Sequence, residues 1–302
     1  MHSCVHAATV GHNVFGHRIT KGQLSAKELA DITGIAASRV LSGIVYVHNY
    51  EGDGNFLYAV DVNSAQLVAT FTITGAQNFD WEDIGYGPCA DDCKQTMCSG
   101  AVTPQRFCLY IADIGSHGGT GAADVIYMVR EPTVLINSSL PVVDKLTFSW
   151  SEPDAESLMV APDGRLFIIS KVNTGRAMIA QLPSDAWGTT VNLDLGETGI
   201  LKVITTHHDP QGADISPDGT ELVIVAEEEV FYYRVPNGDY INAVRTSIPE
   251  SIHSYSSEPN TEGIAWAPDG KGFYVIPRGE DQMIYYYPKD DAGATGPGVG
   301  RR

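Results

Sequence analysis

Five copies of one short pattern are spread through this chain, and together they limit the folds open to it. The copies are ITGIA (32–36), WEDIG (81–85), AESLM (155–159), GADIS (212–216) and TEGIA (261–265). Aligned on the aliphatic residue, the preceding column reads Gly34, Asp83, Ser157, Asp214 and Gly263. The column before that reads Thr33, Glu82, Glu156, Ala213 and Glu262, and two positions further back stand Asp31, Asp80, Asp154, Gln211 and Asn260. A unit that recurs at such spacing is typical of repeat architectures.

Each copy is followed by two or three further short runs rich in β-branched and aromatic residues, which are typical of strands. In three copies a Pro-Asp-Gly turn (162–164, 217–219 and 268–270) joins the first run to the second. Four antiparallel strands repeated five times predict an all-β, five-bladed β-propeller. A six-bladed propeller stays open as an alternative if one blade has diverged.

The two ends of the chain complete this prediction. The fifth unit stops after its third strand, at Pro288, and NVFGHRIT (13–20) offers the missing outermost strand. We therefore expect the N-terminal strand to close the last blade within a single domain of residues 1–288. The remainder, 289–302, is Gly-rich without large apolar residues and is predicted to be a disordered tail.

In a propeller the first strand of every blade lines the central channel, so acids distant in sequence should converge on one funnel. Several ionised carboxylates need a counter-charge there, and oxygen ligands suit Ca²⁺. The candidate metal ligands are Glu82, Asp83, Asn49, Asp113, Glu156 and Asp214. The candidate catalytic residues are Glu262 or His48 as the base, with Lys171 and Arg278 as cations. The alternative for any single carboxylate is structural, because it can accept N–H bonds from the next blade.

Cysteine content and charge bear on the compartment and the partners. Cys89, Cys93, Cys98 and Cys108 lie close together, which favours two local disulfides with three open connectivities and leaves Cys4 over. With the sequon at Asn137, this predicts a secreted glycoprotein. The net charge of −18 argues against binding nucleic acid or anionic membranes. A small molecule or glycan in the central funnel is the expected ligand.

Segments such as DWEDIGYGPC, LYIADIG, PDAESLMVAPDG, GADISPDG and TEGIAWAPDG resemble a family of secreted bacterial β-propellers. That family is similar to the SMP-30/gluconolactonase-like, SdiA-regulated and phytase-like esterase propellers. The match runs from about residue 28 to residue 288 and implies the propeller fold more strongly than any activity. We hypothesise a Ca²⁺-dependent hydrolase of an ester, lactone or phosphoester. The rival hypotheses are a non-catalytic binding module with a structural calcium and an extracellular scaffold protein.

Overall fold

The structure is a computed structural model that describes residues 14–90, 106–116, 123–202, 209–226 and 228–290. Helical segments among them include a 3-10 turn at Leu193–Leu195 and helix α1 at Tyr240–Thr246. No helix in these ranges has the length and apolar character needed to cross a membrane. The strands are β1 (Ile19–Gln23), β2 (Ile32–Ala37), β3 (Ile44–Asn49), β4 (Phe56–Asp61), β5 (Gln66–Thr74), β6 (Trp81–Pro88), β7 (Phe107–Asp113), β8 (Asp124–Arg130), β9 (Ser138–Ser149), β10 (Ala155–Val160), β11 (Leu166–Ser170), β12 (Met178–Leu182), β13 (Thr190–Asn192), β14 (Thr198–Ile200), β15 (Pro210–Ile215), β16 (Glu221–Ala226), β17 (Val230–Arg234), β18 (Glu250–Ser251), β19 (Thr261–Trp266), β20 (Gly272–Pro277) and β21 (Met283–Pro288).

These strands form four antiparallel-rich sheets, which confirms the prediction of an all-β fold. Three sheets have four strands each, in the orders β10-β11-β12-β14, β15-β16-β17-β18 and β19-β20-β21-β1. The fourth has nine strands and contains two antiparallel runs, β2-β3-β4-β5 and β6-β7-β8-β9. Parallel pairing joins these two runs, with Phe71 of β5 opposite Ser138 of β9, and β13 pairs in parallel with the far end of β9.

The first strand of each antiparallel run lies innermost, and these strands pack on one another in a closed cycle. The order around the cycle is β2, β6, β10, β15 and β19, with β19 returning to β2. All six residues of β2, β10 and β19 and all eight of β6 are buried. Five apolar clusters fill the spaces between the faces of neighbouring runs. Burial of these faces is the main favourable term that holds the runs together.

The N-terminal segment closes the last sheet by pairing with its final strand. Ile19 of β1 lies opposite Tyr286 of β21, slightly later in sequence than the predicted 13–20. Phe15 forms an isolated bridge with Lys289 and is fully buried among aromatic rings. Its ring centroid is 4.9 Å from Phe273 and 5.9 Å from Trp266. Hydrogen bonds between strands and an aromatic cluster therefore hold the N-terminal segment against the last sheet.

One disulfide is present among the described residues. It joins Cys89, just after β6, to Cys108 in β7, across 19 positions of sequence. Cys4, Cys93 and Cys98 lie outside the described residues, as does most of the predicted tail, residues 291–302. The pairing fits one of the three connectivities that the sequence left open.

Candidate functional site

A β-bulge occurs at the same place in all five innermost strands, one residue after the strand begins. The pairing of each innermost strand with the second strand of its run skips one residue. A bulge of this kind changes the direction in which the skipped side chain points. The skipped residues are Thr33, Glu82, Glu156, Gln211 and Glu262. Three glutamates and one glutamine thus occupy equivalent positions at the end of the ring where the innermost strands begin, which we call the axial mouth.

This register corrects the sequence alignment of the fourth unit. Gln211 occupies the glutamate position, whereas the alignment placed Ala213 there. Asp214, a predicted metal ligand, consequently lies two residues further along its strand than Asp83 does. Realigning the fourth unit by two residues also places Asp209 at the position that Asp31, Asp80 and Asp154 hold in the first three units. Those three supply main-chain oxygens that accept N–H bonds from residues just after the second strand of their runs.

Glu82, Glu156 and Asp154 form the tightest acidic cluster at the axial mouth. One carboxylate oxygen from each lies within 4.8 Å of the others. Glu82 and Glu156 are buried, whereas the side chain of Asp154 is 23% exposed. Lys171, which follows β11, contacts the Glu156 carboxylate, and its Nζ is 3.6 Å from Asp154 Oδ2. Three acids therefore share one lysine in a site that opens to solvent on the Lys171 side.

Gly115 allows a fourth carboxylate, that of Asp80, to approach the same cluster. A Cβ at position 115 would lie 2.4 Å from Glu82 Oε1 and 2.5 Å from Asp80 Oδ2. The two carboxylate oxygens therefore border the space that a side chain at position 115 would need. The Ile114 and Gly115 N–H groups both donate to the Asp80 carbonyl, which fixes this turn against the site.

The electrostatics of the cluster favour proton uptake by its acids. Burial, with the charge of Glu156 next in size, raises the pKa of Glu82 well above its usual value. Burial also raises the pKa of Glu156 to about 8, although Lys171 opposes that shift. The carboxylates in turn hold the pKa of Lys171 above its usual value, against the effect of its own burial. A cation that entered the cluster would therefore displace protons.

Glu262 and Arg278 form a second charged group on the opposite side of the axial mouth. Arg278 Nη1 is 3.5 Å from Glu262 Oε1, and Arg278 Nε is 3.2 Å from Asp31 Oδ1. The guanidinium also lies 4.2 Å from the centre of the Tyr50 ring. Burial, with the charge of Asp80 next in size, raises the pKa of the Tyr50 hydroxyl. Burial raises the pKa of Glu262, and Arg278 opposes that shift.

Asp83 and Asp214 tie innermost strands together and do not join the cluster. Asp83 accepts N–H bonds from Ile84 at 2.8 Å and from Leu158 of the neighbouring innermost strand β10 at 2.8 Å. Asp214 likewise accepts from Trp266 N–H at 2.8 Å, and burial raises its pKa to about 6. These contacts match the structural alternative for carboxylates at this position.

Asn49, Asp113 and His48 are held in local contacts near the site. Asn49 donates to the Glu28 carbonyl at 2.7 Å, and Asp113 accepts the Asp80 N–H at 2.8 Å. His48 is fully buried, with its ring edge-on to Trp81 at 5.5 Å. Burial lowers its pKa to about 4, so the ring is neutral at pH 7. His48 has no exposed surface, whereas Glu262 is 8% exposed.

A cleft of about 500 Å³ adjoins Glu262 between the starts of β15 and β19. The backbones of the two strands approach closely here: a Cβ on Gly212 would lie 2.3 Å from the Glu262 carbonyl oxygen. Asp80, Asp154 and Gln211 are site residues missing from the predicted ligand set. All three stood in the outermost aligned column, so a repeated aspartate before the first strand was the signal that could have found Asp80 and Asp154.

Comparison with solved structures identifies the architecture. The structure is similar to the PQQ-bound aldose sugar dehydrogenase of Streptomyces coelicolor, with a TM-score of 0.50, 8% identity, and 92% of this chain and 99% of that chain covered. It is also similar to the Malassezia sympodialis allergen Mala s 1, with a TM-score of 0.52, 8% identity, and coverages of 92% and 98%. The chain has a β-propeller fold.

The propeller is shared with these proteins, but their activities do not transfer at 8% identity. No protein-family model matches the chain, and no curated protein matches its sequence. The resemblance to the gluconolactonase-like and esterase propellers therefore stays a prediction for this propeller, and its function has to be argued from the axial mouth.

Proposed function

We propose that the propeller has five blades. The nine-stranded sheet then counts as two blades that are joined by the parallel pairing of β5 with β9. Five innermost strands, five equivalent bulges and five inter-sheet clusters support this count.

The proposed function of this propeller is to bind Ca²⁺ at its axial mouth through Glu82, Asp154 and Glu156. The mutual distance of their oxygens carries the proposal. Oxygens that share a Ca²⁺ at 2.3–2.6 Å lie no more than about 5 Å apart, and these three lie within 4.8 Å. The carboxylates fit a hard cation in chemistry as well as in spacing. Lys171 occupies this space, and its side chain, 35% exposed, has room to turn outward when a cation enters.

A hydrolase of an ester, lactone or phosphoester is the activity we assign to this site. The bound cation would polarise a substrate oxygen and activate water. Glu262 is the base, because its raised pKa brings a carboxylate closer to neutral pH. Lys171 and Arg278 stabilise negative charge that develops on the substrate. The opening of the cluster on the Asp154 and Lys171 side favours this activity over a purely structural cation in a closed channel.

Calorimetric titration of the chelator-treated protein with Ca²⁺ tests the proposal. We expect one site per chain, and Glu82→Gln should weaken binding by at least about tenfold because it removes one carboxylate ligand. Glu221→Gln is the matched control, since Glu221 is another buried acid paired with a lysine, Lys289, away from the axial mouth. Equal affinity in wild type and Glu82→Gln, or no Ca²⁺ heat in either, would refute the cation site.

Activity is tested on ester, lactone and phosphodiester substrates with Ca²⁺ and with chelator. Turnover that requires Ca²⁺ and falls in Glu262→Gln supports the hydrolase. Ca²⁺ binding without turnover on any substrate favours the second function, a binding propeller with a structural cation. We also propose that the protein is secreted, which the disulfide between Cys89 and Cys108 supports because disulfides persist in oxidising compartments.

A further inference from the structure

The chain that joins β18 to β19 forms part of the cleft beside Glu262. This connection, residues 252–260, contains no helix or strand, and we call it the strap. Four strap residues line the cleft: Ser257, Glu258, Pro259 and Asn260. The Thr261 hydroxyl, at the start of β19, donates to the Glu258 carbonyl at 2.8 Å. Because Glu262 comes next in the chain, a movement of the strap changes the access to this residue.

Arg18, in the N-terminal segment, holds the middle of the strap. Its Nη1 donates to Glu258 Oε1 at 2.6 Å and to the Ser256 carbonyl at 3.3 Å. The guanidinium also lies 4.1 Å from the centre of the Tyr285 ring in β21. The Tyr285 hydroxyl donates to the same Glu258 oxygen at 3.3 Å. One arginine therefore connects the strap to the segment that closes the last sheet.

Both ends of the strap are anchored without Arg18. Near the start, Ile252 is buried, and the Ser254 hydroxyl donates to the Phe15 carbonyl at 2.7 Å in a buried contact. At the end, the Asn260 carbonyl accepts the Arg278 N–H at 2.7 Å. The contacts of Arg18 therefore act on the length of chain between these two anchors.

The middle of the strap, residues 256–259, is held by contacts that are long or partly exposed. The Tyr287 hydroxyl bonds the N–H and the carbonyl of Ser256 at 3.2 and 3.3 Å. The pair of Arg18 and Glu258 is short, but 28% and 32% of the two side chains are exposed. Exposed ion pairs contribute little free energy. Segments with few buried contacts are the ones that open locally while the rest of the fold stays intact.

We propose that the strap is a lid on the cleft beside Glu262 and that Arg18 is its latch. When Arg18 releases Glu258, the middle of the strap moves away from the cleft while Ser254 and Asn260 hold its ends. Glu262, which is 8% exposed in the closed form, then becomes accessible. Only the regulatory meaning of the lid rests on the proposed function, because neither Ca²⁺ nor hydrolysis takes part in its opening.

Hydrogen–deuterium exchange of the Ca²⁺-free protein, followed by mass spectrometry, tests the latch. In Arg18→Met the amides of residues 256–258 should exchange about three- to tenfold faster than in wild type, because an ion pair and a hydrogen bond are removed. Peptides from β10 and β11 should keep their wild-type rates. Arg18→Lys, which keeps the charge, should restore part of the protection.

Lys21→Met is the matched control, because it removes the same charge from the same segment without touching the strap. The Lys21 ammonium lies 5.8 Å from the centre of the Tyr286 ring. Equal exchange of the strap in Arg18→Met and wild type would overturn the latch, as would equal acceleration in Arg18→Met and Lys21→Met. Acceleration that extends through β19, β20 and β21 would also overturn it, because Arg18 would then stabilise the whole last sheet.

Carbodiimide-driven coupling of an amine to Glu262 tests the lid. Labelling of Glu262 should rise in Arg18→Met, whereas labelling of the buried Glu221 should not. Faster strap exchange with unchanged Glu262 labelling would overturn the lid. The wild type gives a second measurement that needs no variant, since raising NaCl from about 0.05 M to about 1 M screens the exposed ion pair. Exchange of the strap should then accelerate about twofold or more, and an unchanged rate would contradict the latch.

Discussion

Replacing Lys171 with methionine should strengthen Ca²⁺ binding, because the lysine is a built-in competitor for the acidic cluster. Its ammonium contacts Glu156 and lies 3.6 Å from Asp154 Oδ2. Two unit charges at that distance interact by roughly 4–5 kcal/mol at an effective dielectric of about 20. Solvent screening of a side chain that is 35% exposed reduces this to about 1–2 kcal/mol. A cation no longer has to displace that contact, so its Kd should fall about 5- to 30-fold.

Calorimetry measures the Ca²⁺ affinity of Lys171→Met, and urea unfolding measures its stability. Without Ca²⁺ the variant should be less stable than wild type, since three neighbouring acids lose their counter-charge. Saturating Ca²⁺ should restore most of that loss. Lys289→Met is the control, because Lys289 pairs with Glu221 outside the cluster, and its Ca²⁺ affinity should match wild type. Unchanged or weaker Ca²⁺ binding in Lys171→Met would refute the idea that lysine and cation share one place.

Two further predictions concern the pH dependence of the cluster and the axial carboxylates. The pKa of Glu156 is raised to about 8 from a usual 4.5, so the folded protein keeps a proton that the unfolded chain releases. As pH rises from about 4.5 to 8, stability of the cation-free protein should fall and Ca²⁺ affinity should rise, as urea unfolding and calorimetry across that range would show. Asp83→Ala should cost about 2–4 kcal/mol in urea unfolding, because the buried N–H groups of Ile84 and Leu158 lose their acceptor. Its Ca²⁺ affinity should be unchanged, and a lost Ca²⁺ site without destabilisation would contradict the structural role.

The repeat made the architecture predictable from sequence. Short runs rich in β-branched and aromatic residues predicted the strands. The recurrence of the unit implied that equivalent positions such as Glu82, Glu156 and Glu262 meet although they are far apart in the chain. The structure does bring Glu82 and Glu156 together, with Glu262 on the opposite side of the axial mouth. The roles of these residues stay proposals, because placement alone does not reveal a ligand.

The register of the fourth unit was not predictable, and the physical reason is the two-residue period of a strand. A shift by two residues keeps every side chain on the same face, so hydrophobic patterning cannot detect it. Ile215 is large and Ala213 is small, and the alignment therefore chose the wrong member of the pair. The bulges were equally hidden, because a bulge is defined by pairing between strands and not by residue type. For these two reasons the sequence alignment did not assign Gln211 to the glutamate position.

The contact of residues 15–23 with the end of the chain has a consequence for biosynthesis. The partner of β1 is β21, the last of the described strands along the chain, so the edge of β1 must wait unpaired while the ribosome makes the strands between them. Closure of the ring is then a late step that requires both β1 and β21. A nascent chain cut short before Met283 would carry two open sheet edges, and such edges recruit other chains.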